Sequence, residues 1–337
     1  MDPAKIWEWI IKSVLILLTM TGGFAYTTLY ERKVLARMQV RIGPNRAGPF
    51  GFLQPVADGI KLIFKEELIP ANADRLIFIL APVITVLPAL IITAVIPWGT
   101  SINLFGRDIP LHLADINVAV LYILSVTSIS VYGITLAGWS SNNKYATLGG
   151  LRSTAQMISY ELSLGLAFVG PILIASSMSM NDIVQAQHSV WFIFFQPLGA
   201  LIFTIATIAE VNRAPFDMPE AEQELTAGYH TEYSGMKFAL FYMAEYIKMI
   251  AVCMVGATLF LGGYLGPFGL GDNIPWLGPI FLFIKVAAML FVMIWLRATT
   301  PRIRYDRLMA FGWKILFPLA LLNIIGTAVV LVLVGGK

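Results

Sequence analysis

Runs of about twenty apolar residues recur along this chain, and nothing constrains its fold more. An α-helix rises 1.5 Å per residue, so ~20 apolar residues cross the ~30 Å hydrocarbon layer of a bilayer. Eight such spans can be drawn, at residues 6–30, 76–97, 115–138, 155–178, 190–210, 237–262, 279–297 and 312–334. Of the 337 residues 58% are hydrophobic and 13% charged, more apolar than a soluble core of this size needs. The expected fold is an all-α polytopic membrane protein, one integral membrane domain over residues 1–337. The first run is longer than a signal-peptide core and has no small-residue cleavage site after it, so it is expected to stay as a span.

Charge placement orients the spans. Residues 31–75 carry Arg32, Lys33, Arg37, Arg41, Arg46, Lys61, Lys65 and Arg75, and residues 297–311 carry Arg297, Arg302, Arg304 and Arg307. The connections at 98–114, 179–189 and 263–278 hold only Arg107. Cations accumulate on the inner side, so loops 31–75, 139–154, 211–236 and 298–311 are expected inside and both termini outside. The eight tryptophans, Trp7, Trp9, Trp98, Trp139, Trp191, Trp276, Trp295 and Trp313, fall at or near span ends, as an interfacial aromatic belt requires.

The first inner loop has internal order. Val56, Ile60, Ile63 and Phe64 recur at helical spacing opposite Asp58, Lys61 and Lys65, which predicts an amphipathic helix within 55–68 lying in the interface plane. The basic stretch before it reads either as an anchor for lipid headgroups or, given Gly43-Pro44 and Gly48-Pro49, as a structured docking surface.

The acidic residues are the second anomaly. Six of the chain's 20 lie between positions 210 and 232: Glu210, Asp217, Glu220, Glu222, Glu224 and Glu232. Asp217 and Glu220 fit a capping box, which predicts a short helix in the third inner loop, but Glu222 and Glu224 extend the run beyond any capping need. Clustered carboxylates raise one another's proton affinity, so a solvated acidic face and a proton or cation relay both stand. Glu161, Glu245, Lys248 and Lys285 fall at membrane depth, where an ionisable group costs several kcal/mol unless paired or hydrated. Glu245 and Lys248, three residues apart on one helix, make a possible orienting pair.

Redox and nucleotide signatures are missing from the sequence. Cys253 is the only cysteine, which rules out an internal disulfide and any cysteine-ligated cluster or zinc site within this chain. Gly43-Pro-Asn-Arg-Ala-Gly48 has the glycine spacing of a phosphate loop but continues Pro-Phe. The three histidines lack ligand-like partners at helical spacing.

Glu31-Arg-Lys-Val-Leu-Ala-Arg-Met-Gln, Arg41-Ile-Gly-Pro-Asn-Arg-Ala-Gly-Pro, Gln54-Pro-Val-Ala-Asp-Gly-Ile-Lys, Ile158-Ser-Tyr-Glu161, Ala209-Glu-Val-Asn-Arg-Ala-Pro-Phe-Asp217, Glu232-Tyr-Ser-Gly, Ala244-Glu-Tyr and Arg297-Ala-Thr-Thr-Pro-Arg-Ile-Arg-Tyr-Asp306 follow in order. Together they resemble the H-subunit family of bacterial NADH-quinone oxidoreductase (respiratory complex I), the counterpart of mitochondrial NADH dehydrogenase subunit 1. The resemblance implies a multi-pass subunit of the bacterial inner membrane, with quinone (ubiquinone or menaquinone) as substrate. FMN and iron–sulfur clusters would reside only in partner subunits. The partners implied are the peripheral-arm subunits carrying the terminal iron–sulfur cluster, small membrane-arm subunits, antiporter-like pump subunits and membrane lipid, with no nucleic acid. Glu31, Arg32, Arg41, Asp58 and Phe216 would line or shape the quinone path. Glu161, Glu210, Asp217, Glu220, Glu222, Glu224 and Glu245 would form the polar route to the pumps. Arg213, Arg302, Arg304 and Asp306 would balance charge and fix the docking face. Lys248 and Lys285 belong to none of these motifs.

Overall fold

The computed structural model describes residues 3–104, 107–218, 226–267 and 274–335. Helix α1 covers Pro3–Met38, α2 Gln54–Phe64, α3 Arg75–Ile92, α4 Ala119–Ser140, α5 Lys144–Ala175 and α6 Met180–Ala186. Then follow α7 Phe192–Phe195, α8 Pro197–Glu210, α9 Gly235–Phe260, α10 Gly278–Thr299, α11 Tyr305–Phe311 and α12 Phe317–Gly335, the last two joined by a π-helical turn. Among the described residues seven helices are long and apolar enough to cross a membrane. They are α1, α3, α4, α5, α9, α10 and the continuous α11–α12 rod.

The fifth expected span, 190–210, is built differently. It is interrupted at Gln196, whose φ/ψ of −130°/55° leaves the helical region, and Pro197 restarts the chain as the first residue of the 14-residue α8. Proline has no amide to donate backwards and suits a helix start. Gln196 is held in the break by Thr327 Oγ1 (2.6 Å) and Asn323 Nδ2 (3.3 Å), both from α12.

Two inner connections are shorter than the charge pattern implies. The 36-residue α1 runs through Glu31 to Met38, and the 32-residue α5 begins at Lys144, capped by the Asn143 side chain on the Tyr145 amide (2.9 Å). Charge placement marks where the membrane ends and does not stop a helix, and neither extension contains proline. The connection between α3 and α4 adds an antiparallel strand pair that the all-α expectation omits, β1 Ser101–Leu104 with β2 Arg107–Pro110. The expected amphipathic helix is α2, with Val56, Ile60, Ile63 and Phe64 exposed along one side. The short helix expected around Glu220 lies outside the described residues.

Helix α9 is the axle: 67% of its apolar window is buried, against 11% for α1 and for the α11–α12 rod. A helix apolar on all sides belongs inside, and side chains from Ile247 to Phe260 are almost all buried. Glycines set two close approaches, as expected where helices pack without a hydrophobic drive between them. A Cβ on Gly133 of α4 would stand 2.1 Å from Thr85 Oγ1 of α3, and one on Gly149 of α5 2.5 Å from the Gly228 backbone.

The four connections assigned inside meet at one end of the bundle. Lys237 pairs with Glu67 (2.7 Å), Asn143 donates to Glu232 (2.6 Å), and the Ile303 amide donates to the Pro215 carbonyl (3.2 Å). This end carries the candidate site.

Candidate functional site

Helix α1 delivers Glu31 to this end of the bundle, where it is buried to 4% exposure. Its carboxylate accepts from Tyr246 Oη at 2.8 Å and from Arg297, and stands 3.6 Å from Arg213 Nη1. Arg213 reaches in from the turn after α8 and pairs with Glu245 of α9, its guanidinium lying 4.4 Å from the Tyr246 ring centre. Two carboxylates thus interlock with two guanidiniums. Arginine suits such a place because its planar, weakly hydrated fork serves several acceptors at once.

One turn deeper, Glu210 ends α8 with 0% exposure, and its Oε1 accepts from Lys248 Nζ at 2.8 Å. Lys248 also donates to Ser130 Oγ on α4 at 3.2 Å. Among the described residues no group bonds the second oxygen of Glu210. A cavity of about 30 Å³ opens beside this pair, lined among others by Glu210, Glu245, Lys248, Asn212, Tyr229 and His230. That is room for about two or three waters, since one needs roughly 10–15 Å³ of such space. The cavity therefore connects the Arg213–Glu245 pair to the Glu210–Lys248 pair. The expected Glu245–Lys248 pair is not formed: each residue takes a partner from another segment, because the bundle brings stronger geometry than the local i,i+3 spacing.

Glu161 sits partly buried on α5 and accepts from Ser128 Oγ on α4, two residues from Ser130. Asp217 is buried and binds Arg302 at 2.8 Å. Phe216 is also buried, its ring 5.5 Å from that of Tyr160, so it packs within the bundle and supports the site from behind. Glu220, Glu222 and Glu224 lie outside the described residues.

The remaining expected residues form a second, more exposed group. Asp58 of α2 accepts from Arg32 (2.7 Å) and Gln54 (3.2 Å), with Lys61 at 3.6 Å. Partial burial pushes the Asp58 carboxyl up, but these bonds and charges outweigh it and hold the group below its usual range. Arg41 is exposed, donates to Gln39 at 2.8 Å, and lines a 330 Å³ basic pocket with Lys33, Arg37 and Phe50. Arg304 and Asp306 pair with each other at 3.1 Å on the surface.

Several contributors escape a reading by spacing. Gln156 of α5 donates to the carbonyls of Ala209 (2.8 Å) and Phe216 (2.7 Å), pinning the turn that carries Arg213. Tyr246, Ser128 and Ser130 are polar positions within apolar helices, a weak signal on its own. Lys285 donates to three carbonyls, Leu261, Gly263 and Leu265, at 2.6–2.7 Å, closing the far end of α9. An apolar groove of about 220 Å³ runs between α1, α9 and α10 past Thr19, Tyr26, Met254 and Phe283 to Tyr30, the neighbour of Glu31.

A protein-family model described as NADH dehydrogenase matches residues 11–328. The chain is 54% identical to the NADH-quinone oxidoreductase H-subunit of Thermomicrobium roseum over 332 residues, covering 94% of this chain and 95% of that protein. It is 51% identical to the first of two such H-subunits of Geobacter metallireducens over 323 residues, 96% of each. The corresponding H-subunit of Protochlamydia amoebophila is 52% identical over 305 residues, 90% of this chain and 91% of that protein.

Proposed function

The chain belongs to the NADH dehydrogenase family, and from that membership we propose that it is the membrane subunit through which quinone reaches its reduction site and quinone chemistry is coupled to proton pumping. It works within a proton-translocating NADH-quinone oxidoreductase of the bacterial inner membrane. The observation that carries the coupling reading is the buried series Arg297–Glu31–Arg213–Glu245, then the water-sized cavity, then Glu210–Lys248. A membrane protein does not gather six interlocked charges, four of them buried, at one end without a use for them, since each buried ion costs several kcal/mol to desolvate.

The groove between α1, α9 and α10 suits an isoprenoid tail, because its lining is apolar and it opens beside Tyr26 at membrane depth. It leads the quinone head toward Glu31, with Arg32, Arg41 and Asp58 on the surface above and Phe216 behind. Electrons come from a peripheral-arm partner carrying the terminal iron–sulfur cluster. Reducing a quinone to a quinol takes two electrons and two protons, so negative charge develops where the head binds. The Glu31 cluster responds because its carboxylates and guanidiniums share partners: a change in charge at Glu31 alters the pull on Arg213, and Arg213 holds Glu245. Glu245 faces the cavity, and the cavity faces the unbonded oxygen of Glu210. Glu161, Asp217, Glu220, Glu222 and Glu224 extend this route, which passes to small membrane-arm and antiporter-like partners.

The test is to isolate the tagged chain from gently solubilised membranes with whatever accompanies it. A flavin and iron–sulfur assembly with inhibitor-sensitive NADH:quinone activity is expected, reduced by bulky substitutions in the groove such as Ala287→Trp. A chain recovered alone, or with a hydrogenase and no quinone activity, refutes the proposal.

A further inference from the structure

Lys248 is a buried cation that the coupling route does not require in principle, since carboxylates and water alone can pass protons. Its placement is specific nonetheless. The residue is 7% exposed, its Nζ lies 2.8 Å from Glu210 Oε1 and 3.2 Å from Ser130 Oγ, and Ser130 donates its own proton to the Thr127 carbonyl at 2.7 Å. The ammonium therefore donates to both oxygens and fixes one oxygen of Glu210. The other oxygen, Oε2, is buried without a bonding partner among the described residues, and Glu210 and Lys248 line the same cavity.

Resting on the coupling role assigned to Glu210 above, we propose that Lys248 is a positioning residue that makes Glu210 a transfer point and prevents it from storing a proton. The pair is neutral when Glu210 is a carboxylate. A proton arriving through the cavity binds Oε2 as an O–H bond, which cancels the carboxylate and leaves the ammonium as an uncompensated charge in a low-dielectric interior. That state is short-lived, so the same proton leaves Oε2 again, back to the cavity or onward, and the pair is restored. The other charged or titratable groups facing this region are Glu245, Tyr229 and His230 of the cavity lining, Arg213 as the partner of Glu245, and Glu161 on α5, which accepts from Ser128 of α4. Among the described residues Lys248 forms its hydrogen bonds and ion pair with Ser130 and Glu210 and with none of these groups, so the ammonium is tied to Glu210 and not shared along the series.

Lys248 and Lys285 differ in what they bind. Lys285 also lies within a span, but its three bonds go to backbone carbonyls and its charge meets the Trp191 ring at 4.8 Å, a purely holding arrangement.

The experiment compares wild type, K248M, K248R, E210Q and K248M/E210Q in the intact complex reconstituted into liposomes. Protons moved per electron are measured alongside infrared spectra of the carboxyl region. In K248M a carboxylic-acid C=O stretching band is expected that is absent from wild type and lost in K248M/E210Q. The proton-to-electron ratio falls in K248M and is restored by K248R. Wild-type stoichiometry in K248M with no new band overturns the inference. Should K248M not assemble, K248Q, which still donates a hydrogen bond but carries no charge, gives the same two readouts with the same opposing outcomes. E210Q separates the two claims: normal pumping in E210Q removes the coupling role of Glu210 itself, whereas impaired pumping in E210Q with a normal K248M removes only the role of the lysine.

Discussion

Replacing Arg213 by leucine removes the guanidinium that ties Glu31 of α1 to Glu245 of α9. The side chains involved are 7% exposed for Arg213, 5% for Glu31 and 16% for Glu245, so this is a buried network and not a screened surface pair. Removing one member of a buried ion pair costs about 3–5 kcal/mol, because the charge left behind has lost both water and partner. The cation–π contact with Tyr246, 4.4 Å to the ring centre, adds roughly 1–2 kcal/mol in a desolvated setting. Glu31 keeps Arg297 and Tyr246, which places the net expectation for R213L near the lower figure, about 3 kcal/mol. Glu245→Leu alone should cost a similar amount. The decisive quantity is the double variant: with both charges gone, R213L/E245L should recover about 2 kcal/mol or more of the summed single losses. The assay is thermal stability of the purified complex together with the fraction of tagged subunit that assembles. Strictly additive losses would falsify the claim that the two residues form one charge unit.

Three further outcomes follow from the same geometry. Gln156→Leu strands the carbonyls of Ala209 and Phe216 and should destabilise by about 1–3 kcal/mol, lowering quinone-linked activity while NADH oxidation by an artificial acceptor on the peripheral arm is spared. Lys285→Met removes three bonds to carbonyls and should lower thermal stability with no change in protons moved per electron, the opposite pattern from K248M. The Asp58 carboxyl is held below its usual range, so its tie to Arg32 contributes fully above that range and is lost as pH falls through the lowered value. Cross-link yield between cysteines placed on α1 and α2 should be flat near neutral pH and drop only under clearly acidic conditions. In an Arg32→Gln variant the drop should begin at higher pH; the pair is partly exposed, so the effect on overall stability is at most about 1 kcal/mol.

Much of this arrangement is legible in the sequence because the bilayer imposes strong patterns. Apolar runs mark the spans, the spacing of Val56, Ile60, Ile63 and Phe64 marks α2, and carboxylates in apolar surroundings mark Glu161, Glu210 and Glu245. Pairing is not legible, since partners are chosen across helices. Lys248 is nearest Glu245 in sequence, yet α8 packs Glu210 against it, and Glu245 turns to Arg213. Helix length is also hidden: α1 and α5 extend beyond the apolar spans expected from the sequence because nothing in Glu31–Met38 or Lys144–Thr154 breaks a helix. The break at Gln196 is signalled by Pro197, but the polar groups that hold its side chain there, Asn323 and Thr327, lie far along the chain.

The most direct test of the central claim is the number of protons moved per electron in proteoliposomes containing the complex with Glu210→Gln or Glu245→Gln, normalised to assembled enzyme. The account predicts that these variants assemble and still accept electrons from NADH, but lose most proton movement because the path from the Arg213 cluster through the cavity is cut on entry at Glu245 or on exit at Glu210. Wild-type stoichiometry in both assembled variants would contradict it and leave the buried carboxylates a structural role only.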